Sequence, residues 1–337
     1  MKLSVISKLG FVSIATVFFA IESHASEVLP PTDRWPSLPE GVTSFGAEPL
    51  EDAVYVYGGH IGKAHHYSVD TTLGSFMRLK LDGKSSWEKL AGGSRVQGSR
   101  LVAYDGAIYR VGGLQPRDRA DGKVGLHSLT EFVRYDVETD RWENLVTLPV
   151  ARSSHEATIV GSKVYVAGGW KMTGQGSQGE YWHDAMHVID LAQSPLTWKT
   201  IPQPFKRRAI SSDVSEGKIY FMGGMDSEGE TSRAVDVYDT VTGEWSVGPE
   251  LPFGPMVGFG SAACTLDDRV IVSPYSSEIL TLNGTGTAWV KIGELAERRF
   301  FHRIIPLPGG NILALAGASR KAGHLASLEV VELVGRN

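Results

Sequence analysis

The 337-residue chain contains a single cysteine, Cys264, so no disulfide bond can form within it. It also lacks an excess of basic residues: 33 Lys and Arg stand against 38 Asp and Glu, a formal net charge of −5. That balance disfavours nucleic acid as a partner, because nucleic-acid binding requires a strongly basic face. Stability must therefore come from a packed core, in which we expect Cys264 to be a buried, inert thiol.

Beyond the N-terminus, the sequence has no apolar run long enough to span a bilayer. The one marked run, Leu9–Ile21, has about 13 residues and follows two lysines. It ends just before small residues spaced two apart, a pattern typical of signal-peptidase cleavage after Ala25. We therefore predict a signal peptide over residues 1–25, a periplasmic or secreted location, and no membrane span after cleavage. An uncleaved membrane anchor is the alternative.

A short β-rich pattern recurs six times along the chain. Four copies end in Gly-Gly, and two later copies have lost the glycine pair. In chain order, the copies are residues 53–59, 107–113, 163–169, 218–224, 269–275 and 311–317. Their aromatic and β-branched residues predict strands, and the glycine pairs predict sharp exits from those strands.

Five of the six copies are followed by a second strand, a turn and a tryptophan. These are Trp87, Trp142, Trp198, Trp245 and Trp289, at steps of 55, 56, 47 and 44 residues. Steps near 50 residues are typical of four-stranded propeller blades. Without a 25-residue leader, 312 residues remain, which gives 52 for each of six units.

The sixth copy has no tryptophan after its last strand, whereas Trp35 stands alone near the start of the predicted mature chain. We predict that the segment around Trp35 supplies the missing outer strand beside Leu328–Leu333. Such pairing would leave no sheet edge open where the ring begins and ends. The alternative is that Trp35 is an ordinary surface residue in a linker.

The Gly-Gly, Tyr-Asp and Trp pattern resembles the kelch-repeat family over about residues 33–334. The resemblance implies an all-β fold: residues 26–337 would form a single six-bladed β-propeller whose last blade is closed by the N-terminal strand. It says little about function, because kelch propellers serve as ligand-binding domains, enzyme domains and adaptor modules.

In kelch domains, the loops after the glycine pairs and the turns that enter the inner strands surround the channel mouth. Here the first three such loops are long, at residues 60–72, 114–130 and 170–185. Within them, His60, Trp170, Tyr181 and Trp182 are candidate binding residues. Trp170 and Trp182 lie outside the repeat positions, and exposed rings can stack on a sugar or anchor a protein. The alternative is that these rings cap a small core of their own loop.

Arginines recur where the inner strands begin, at Arg100, Arg152, Arg208 and Arg299. Kelch binding faces are similar, with arginines that grip carboxylates, and the guanidinium group suits bidentate binding of an anion. We therefore expect a small anionic ligand, a glycan or a protein partner at the mouth. An equally strong interpretation is that these arginines belong to the repeat and bind backbone carbonyls.

The layout also resembles the periplasmic sialic-acid mutarotases, isomerases that interconvert sugar anomers by acid–base chemistry. That resemblance implies an acid directly after the fourth glycine pair, beside an arginine. Here Met225 holds this place, and Asp226, Glu228 or Glu230 would have to substitute, with Arg233 nearby. The sequence therefore favours an exported binding protein, with a sugar-acid isomerase as the alternative.

No metal-ligand spacing, phosphate-binding loop or nucleophile motif stands out in the sequence. We accordingly expect neither a metal nor another cofactor.

Overall fold

The computed structural model describes residues 35–175 and 181–334, and within them every regular element is a β-strand. The predicted signal peptide, residues 1–25, lies outside the described residues. In the described part of the chain, there is no helix of the length and hydrophobicity that a bilayer span requires.

The strands form six antiparallel sheets in chain order, which we call blades 1 to 6 and list from the inner to the outer strand. Blade 1 contains β1 (Gly46–Leu50), β2 (Ala53–His60), β3 (Thr72–Lys80) and β4 (Glu88–Leu90). Blade 2 contains β5 (Arg100–Tyr104), β6 (Ala107–Val111), β9 (Phe132–Asp136) and β10 (Arg141–Asn144). Blade 3 contains β11 (Glu156–Val160), β12 (Lys163–Ala167), β15 (Ala185–Asp190) and β16 (Trp198–Pro202).

The second half of the chain repeats this arrangement. Blade 4 contains β17 (Ser211–Ser215), β18 (Lys218–Met222), β19 (Val235–Asp239) and β20 (Trp245–Val247). Blade 5 contains β21 (Ala262–Leu266), β22 (Arg269–Ser273), β23 (Glu278–Leu282) and β24 (Trp289–Glu294). Blade 6 contains β25 (Arg303–Pro306), β26 (Ile312–Ser319) and β27 (Gly323–Val331). Two long loops carry small hairpins, β7 (Leu114–Asp118) with β8 (Val124–Ser128) and β13 (Trp170–Lys171) with β14 (Tyr181–Trp182).

The six blades close into a ring. Each inner strand contacts the inner strand of the next blade, and β25 of blade 6 contacts β1 of blade 1. Two residues before each inner strand, a backbone N–H donates to the carbonyl of the matching residue in the preceding blade, at 2.6–3.3 Å. These residues, which we call the axial ring, are Ser44, Gly98, Ser154, Ala209, Gly260 and Phe301. The link from Ser44 N–H to the Phe301 carbonyl joins the first blade to the last, so the prediction of a six-bladed propeller is confirmed.

The described N-terminal segment lies against blade 6, but its backbone hydrogen bonds reach Leu325 and Ala326 rather than the predicted partner Leu328–Leu333. The backbone N–H groups of Leu38 and Val42 donate to the carbonyls of Ala326 and Leu325 at 2.9 and 3.1 Å. Among the described residues, blade 6 has three strands, and the residues before Trp35 lie outside the described part. The beginning of the described chain is therefore held beside its end by backbone hydrogen bonds.

Trp35 is buried, with 5% of its surface exposed, and packs in a cluster formed by blades 6 and 1. Trp87 of blade 1 packs against the same cluster. The matching tryptophan of a sixth unit would instead pack between blades 5 and 6, because each repeat tryptophan contacts the preceding blade. Trp35 instead packs at the interface between blades 6 and 1, where the ring closes. It therefore does not occupy the position of a sixth repeat tryptophan.

The five repeat tryptophans join neighbouring blades. Each indole Nε1–H donates to a backbone carbonyl at the end of the preceding blade or, for Trp87, of the N-terminal segment, at 2.7–3.2 Å. Trp142 of blade 2 also lies 5.3 Å from Tyr57 and 5.1 Å from Phe76, both in blade 1. These rings fill the space between twisted sheets.

The glycine pairs allow the close approach that the sequence predicted. Gly58 has a φ of +64°, and a Cβ atom there would lie 2.4 Å from the carbonyl oxygen of Val96 in the turn that enters blade 2. Gly112 repeats this geometry against the carbonyl of Arg152 before blade 3. A side chain at either position would push two blades apart.

Candidate functional site

The axial ring forms a closed floor for the channel mouth. All six of its residues have a positive φ of 51–62°, a region that is strained for the four that are not glycine. Each N–H donates and each carbonyl accepts around the ring, so the hydrogen bonds of the ring offset this strain. The cavity on its channel side has a volume of about 40 Å³, which is enough for about three water molecules. The axial ring therefore closes the bottom of the mouth except for a space of a few water molecules.

The residue directly before each axial-ring residue lies at the mouth. These six residues are Thr43, Gln97, Ser153, Arg208, Phe259 and Phe300. Five of them form a β-bridge within the same blade: four pair with the residue directly after the glycine pair, and Phe300 pairs with Ala318, at the matching place in blade 6. Ser153 pairs in this way with Trp170, and Arg208 pairs with Met225. The two sets of loops predicted to surround the mouth are therefore joined to each other by backbone pairing.

Arg208 and three aromatic rings form the most distinctive group at the mouth. The guanidinium carbon of Arg208 lies 4.2 Å from the ring centre of Trp170, 5.6 Å from that of Trp182 and 5.8 Å from that of Phe259. Trp170 and Trp182 face each other across the β13–β14 pair, with ring centres 5.5 Å apart. Cation–π attraction holds the arginine in place and orients it while it stays half-exposed.

Aromatic rings continue from this group around the mouth toward blade 6. Phe259 lies 5.0 Å from Phe301, which lies 5.2 Å from Phe300, and Phe300 lies 5.3 Å from Tyr275. The three phenylalanines are half-exposed, and Tyr275 is largely buried. Sequence reasoning missed these four residues. For the three phenylalanines, the signal was an aromatic residue at or just before the axial position of blades 5 and 6, which becomes visible only once the axial ring is known.

Two of the predicted arginines are buried away from the mouth. Arg152 is fully buried and donates to the carbonyls of Val166, Gly168 and Ala185. Arg299 donates to the carbonyls of Ala316 and Ser327 and to the carboxylate of Glu329. Burial lowers the pKa of Arg152 to about 9. The structural interpretation, in which repeat arginines bind backbone carbonyls, describes these two residues.

The alignment of Arg208 with Arg152 and Arg299 was wrong by one residue. Arg207 is the true counterpart: it donates to the carbonyls of Gly223 and Ala234 and pairs with Asp236. Because neighbouring residues of an extended chain point to opposite sides, this shift places Arg208 on the side of the aromatic rings. In blade 3, the position of Asp236 is taken by His187, whose pKa is lowered to about 4 by burial and then by the charge of Arg152.

Arg100 lies below the floor, inside the channel. Its Nε atom lies 2.9 Å from the carboxylate of Glu156, and Arg303 reaches the other oxygen of that carboxylate at 3.0 Å. Glu48 and Asp213 belong to the same cluster, and burial raises the pKa of Glu48 to about 8. Glu48 has some exposed surface, but it faces the enclosed channel. This cluster binds the inner strands to one another.

His60 and Tyr181 occupy different places from the tryptophans. His60 is 3% exposed, and its ring nitrogens lie 3.1 and 3.2 Å from the carbonyls of Thr71 and Lys63, so it organises its own loop. Tyr181 is 47% exposed, and its hydroxyl donates to Asp184 at 3.0 Å. Of the predicted binding residues, the structure brings together Arg208, Trp170 and Trp182.

The residues considered for acid–base chemistry have other partners. The sulfur of Met225 lies 3.3 Å from Nη2 of Arg208, in the place where the isomerase resemblance requires an acid. Asp226 accepts hydrogen bonds from the backbone of its own loop, at 3.0 Å from the N–H groups of Glu228 and Glu230. Arg233 pairs with Glu250 on the rim.

Two further features concern metals and thiols. Within residues 35–175 and 181–334, no group of three His, Cys, Asp or Glu side chains is arranged to hold a metal ion. Cys264 is buried in β21, and burial raises the pKa of its thiol well above the usual range.

Six antiparallel sheets around a common axis, with loops gathered at one mouth, define a β-propeller. The chain belongs to the kelch-repeat family: the model of the KLHDC2/KLHL20/DRC7 Kelch-repeats domain matches residues 50–273.

Relatives and solved structures agree with this assignment. Mouse Kelch-like protein 35 is 26% identical over 239 residues, covering 70% of this chain and 36% of its own length. Kelch-like protein 36 of Bos taurus is 27% identical over 275 residues, covering 77% and 41%. This chain thus spans less than half the length of these relatives. The structure of YjhT superposes with a TM-score of 0.72 at 16% identity, covering 90% of this chain and all of that one, which shows the shared fold.

Proposed function

We propose that this protein is an exported kelch-repeat binding protein that holds an anionic small molecule or glycan at the mouth of the propeller. The observation that carries the proposal is the placement of Arg208 over Trp170, with Trp182 and Phe259 around it, above the closed floor of the axial ring. These residues combine one oriented cation with several flat apolar surfaces.

This combination suits a ligand that has a carboxylate and an apolar face. The guanidinium group would pair with the carboxylate, and the indole rings would take the apolar face by stacking. Because the aromatic rings partly exclude water from Arg208, the ion pair would be stronger than one on an open surface. The closed floor favours a ligand that rests on the mouth over one that passes through the channel.

Export is part of the proposal and rests on the N-terminal sequence. The apolar run Leu9–Ile21 and the small residues up to Ala25 are typical of a cleaved leader. When the gene is expressed in a Gram-negative host, we expect the protein in the periplasm or medium. Its measured mass should equal that of a chain starting at residue 26. An intact Met1 on a membrane-bound product would contradict export.

The ligand site is tested by titration of the purified protein with N-acetylneuraminate and galacturonate as anionic sugars and with galactose as the neutral comparison. We expect R208Q to weaken anion binding at least tenfold, since a hydrogen bond to a charged group contributes about 1.5–3 kcal/mol. W170A should weaken it as well. R141Q is the matched control, because Arg141 stands exposed at the β9–β10 turn, on the opposite face.

Unchanged anion binding in both R208Q and W170A, with normal thermal melting, would contradict the site. The isomerase alternative is tested on the same samples by saturation-transfer NMR with freshly dissolved α-anomer. We expect no exchange above buffer, because Met225 rather than an acid lies against Arg208. An exchange rate that D226N abolishes would replace the binding proposal with mutarotation.

A further inference from the structure

A second cationic pocket lies on the mouth face between blades 5 and 6, with a volume of about 710 Å³. Its lining includes Arg298 from the turn that enters β25, and Arg320 and Lys321 from the β26–β27 turn. All three side chains are exposed, in a protein whose net charge is −5. Positive charge is therefore concentrated here against the overall sign of the molecule.

The turn that carries two of these cations is well defined. The Ser319 hydroxyl accepts hydrogen bonds from the N–H groups of Lys321 and Ala322 at 3.1 and 3.2 Å, and it donates to the carboxylate of Glu297. Glu297 is the one acidic residue in the lining of the pocket. Since its carboxylate is bonded to Ser319, the pocket presents three cations and one engaged anion.

This pocket is connected to Arg208 by the row of aromatic rings. Tyr275 lines the pocket and lies 5.8 Å from the guanidinium group of Arg320. From Tyr275, successive ring contacts of 5.0–5.3 Å lead through Phe300 and Phe301 to Phe259, which lies 5.8 Å from Arg208. The mouth therefore has a cation at each end of one aromatic row, which we call the aromatic track.

We propose that the ligand of this mouth is an acidic oligosaccharide, with one carboxylate on Arg208 and a second in the pocket of Arg298, Arg320 and Lys321. The inference rests on the proposed function and specifies its ligand. Sugar rings between the two carboxylates lie along the aromatic track, where flat apolar faces can stack on the phenylalanine rings. A single sugar acid binds at the Arg208 end and leaves the second pocket empty.

The shape of the mouth favours a glycan over an acidic peptide. Protein partners gain most of their affinity from side chains inserted into well-packed pockets. The pocket at the end of the track is lined mainly by charged and polar side chains, so it suits a carboxylate better than an apolar anchor, and the track offers a row of ring surfaces. A chain of sugar rings with regularly spaced carboxylates matches these surfaces.

The test is calorimetric titration of the purified protein with α-1,4-linked galacturonate of one to six units. For the wild type, we expect affinity to rise at least tenfold between the monomer and the longer oligomers. The R298Q/R320Q variant should lose this gain and bind the monomer as the wild type does. R208Q should weaken binding at every length. R141Q/R269Q is the matched control, because both of its arginines stand at turns on the opposite face.

The outcomes separate this inference from the proposed function. If R208Q weakens the monomer but affinity does not rise with length, the second pocket is excluded and the anion site at Arg208 stands. If a hexaglutamate peptide binds as tightly as the galacturonate hexamer, the ligand is not specifically a glycan and the inference is overturned. If neither sugar acids nor oligomers depend on Arg208, both proposals fail. Equal melting temperatures of the variants establish that each remains folded.

Discussion

At the scale of the residue, the channel cluster shows how charge is kept inside the propeller. Glu156 bridges Arg100 and Arg303, while Glu48 is buried near Arg100 with its pKa raised to about 8. Near neutral pH, Glu48 is therefore largely protonated, so it adds little negative charge to a cluster in which Glu156 already neutralises part of the arginine charge. A carboxylate in such a place costs stability when it ionises.

The E48Q variant tests this assignment. Because the pKa of Glu48 is higher in the folded protein than the usual 4.5, the folded state holds the proton more tightly than the unfolded state does. The free energy of unfolding should therefore fall as pH rises from about 4.5 to about 8 and show no further loss from Glu48 above that range. Glutamine cannot ionise, so this loss should be absent in E48Q.

Urea denaturation of both proteins at intervals from pH 5 to pH 9 measures the difference. We expect the stability of E48Q relative to wild type to increase across that range. Parallel pH profiles would show that Glu48 titrates normally in the folded protein. E40Q is a suitable control, because Glu40 is exposed at the surface.

At the scale of the element, the interface between two blades depends on the repeat tryptophan, which packs against the preceding blade. Trp142 contacts Tyr57, Phe76 and Tyr135 at 5.1–5.3 Å between ring centres. Its Nε1–H donates to the carbonyl of Ala91 at 2.7 Å. Packing and hydrogen bonding thus act at the same interface, and two substitutions can separate them.

We expect W142A to lower the free energy of unfolding, by less than the about 3–5 kcal/mol that is typical for a fully buried aromatic side chain, because Trp142 is only partly buried. W142F keeps most of the ring and loses the hydrogen bond, so part of that loss should be recovered. Chemical denaturation of the two variants gives both values. Equal losses for alanine and phenylalanine would assign the whole effect to the hydrogen bond and contradict a packing role.

At the scale of the whole molecule, stability depends on closure of the ring. The axial hydrogen bonds pass through all six blades, and Trp35 packs between the last blade and the first. Its neighbours in that cluster include Leu313 and Leu328 of blade 6 and Val54 of blade 1. Residues from both ends of the described chain thus build one core cluster.

For W35A, we expect a loss of about 3–5 kcal/mol, larger than that of W142A because Trp35 is more deeply buried, although Trp35 lies outside the repeat positions. Because closure links every blade to the next, unfolding should remain a single transition when followed by circular dichroism and by tryptophan fluorescence. A wild-type stability for W35A would mean that Trp35 is a surface linker residue, which is the alternative that the sequence left open.

Much of the fold could be predicted because the repeat is a local pattern. Glycine at positions such as Gly58 lets one blade's backbone approach the next, and Trp142 and its counterparts recur at five of the six interfaces. The β-rich run, with the glycine pair in four copies and a tryptophan after five, was enough to count six blades, and the resemblance to kelch repeats placed the mouth loops. The position of Trp35 was predicted less well, since one unmatched tryptophan carries no periodicity.

The site was only partly predictable. Trp170 and Trp182 were recognised because blade packing did not explain them, and the structure places them together with Arg208. Phe259, Phe300 and Phe301 carried no comparable signal, because their partners come from different blades. Arg152 and Arg299 were assigned to the mouth because their spacing within the repeat could not show which way each side chain points.

The amino-acid sequence by itself determined the number of blades, their order and the family, because these follow from contacts that each unit makes with its immediate neighbour. The tertiary structure alone decided which side chains meet at the mouth. Along an extended strand, a shift of one residue turns a side chain to the opposite face. The side chain of Arg207 therefore points into the interior, and that of Arg208 points to the aromatic rings. Only the register of the strands in the closed ring determines which arginine takes which place.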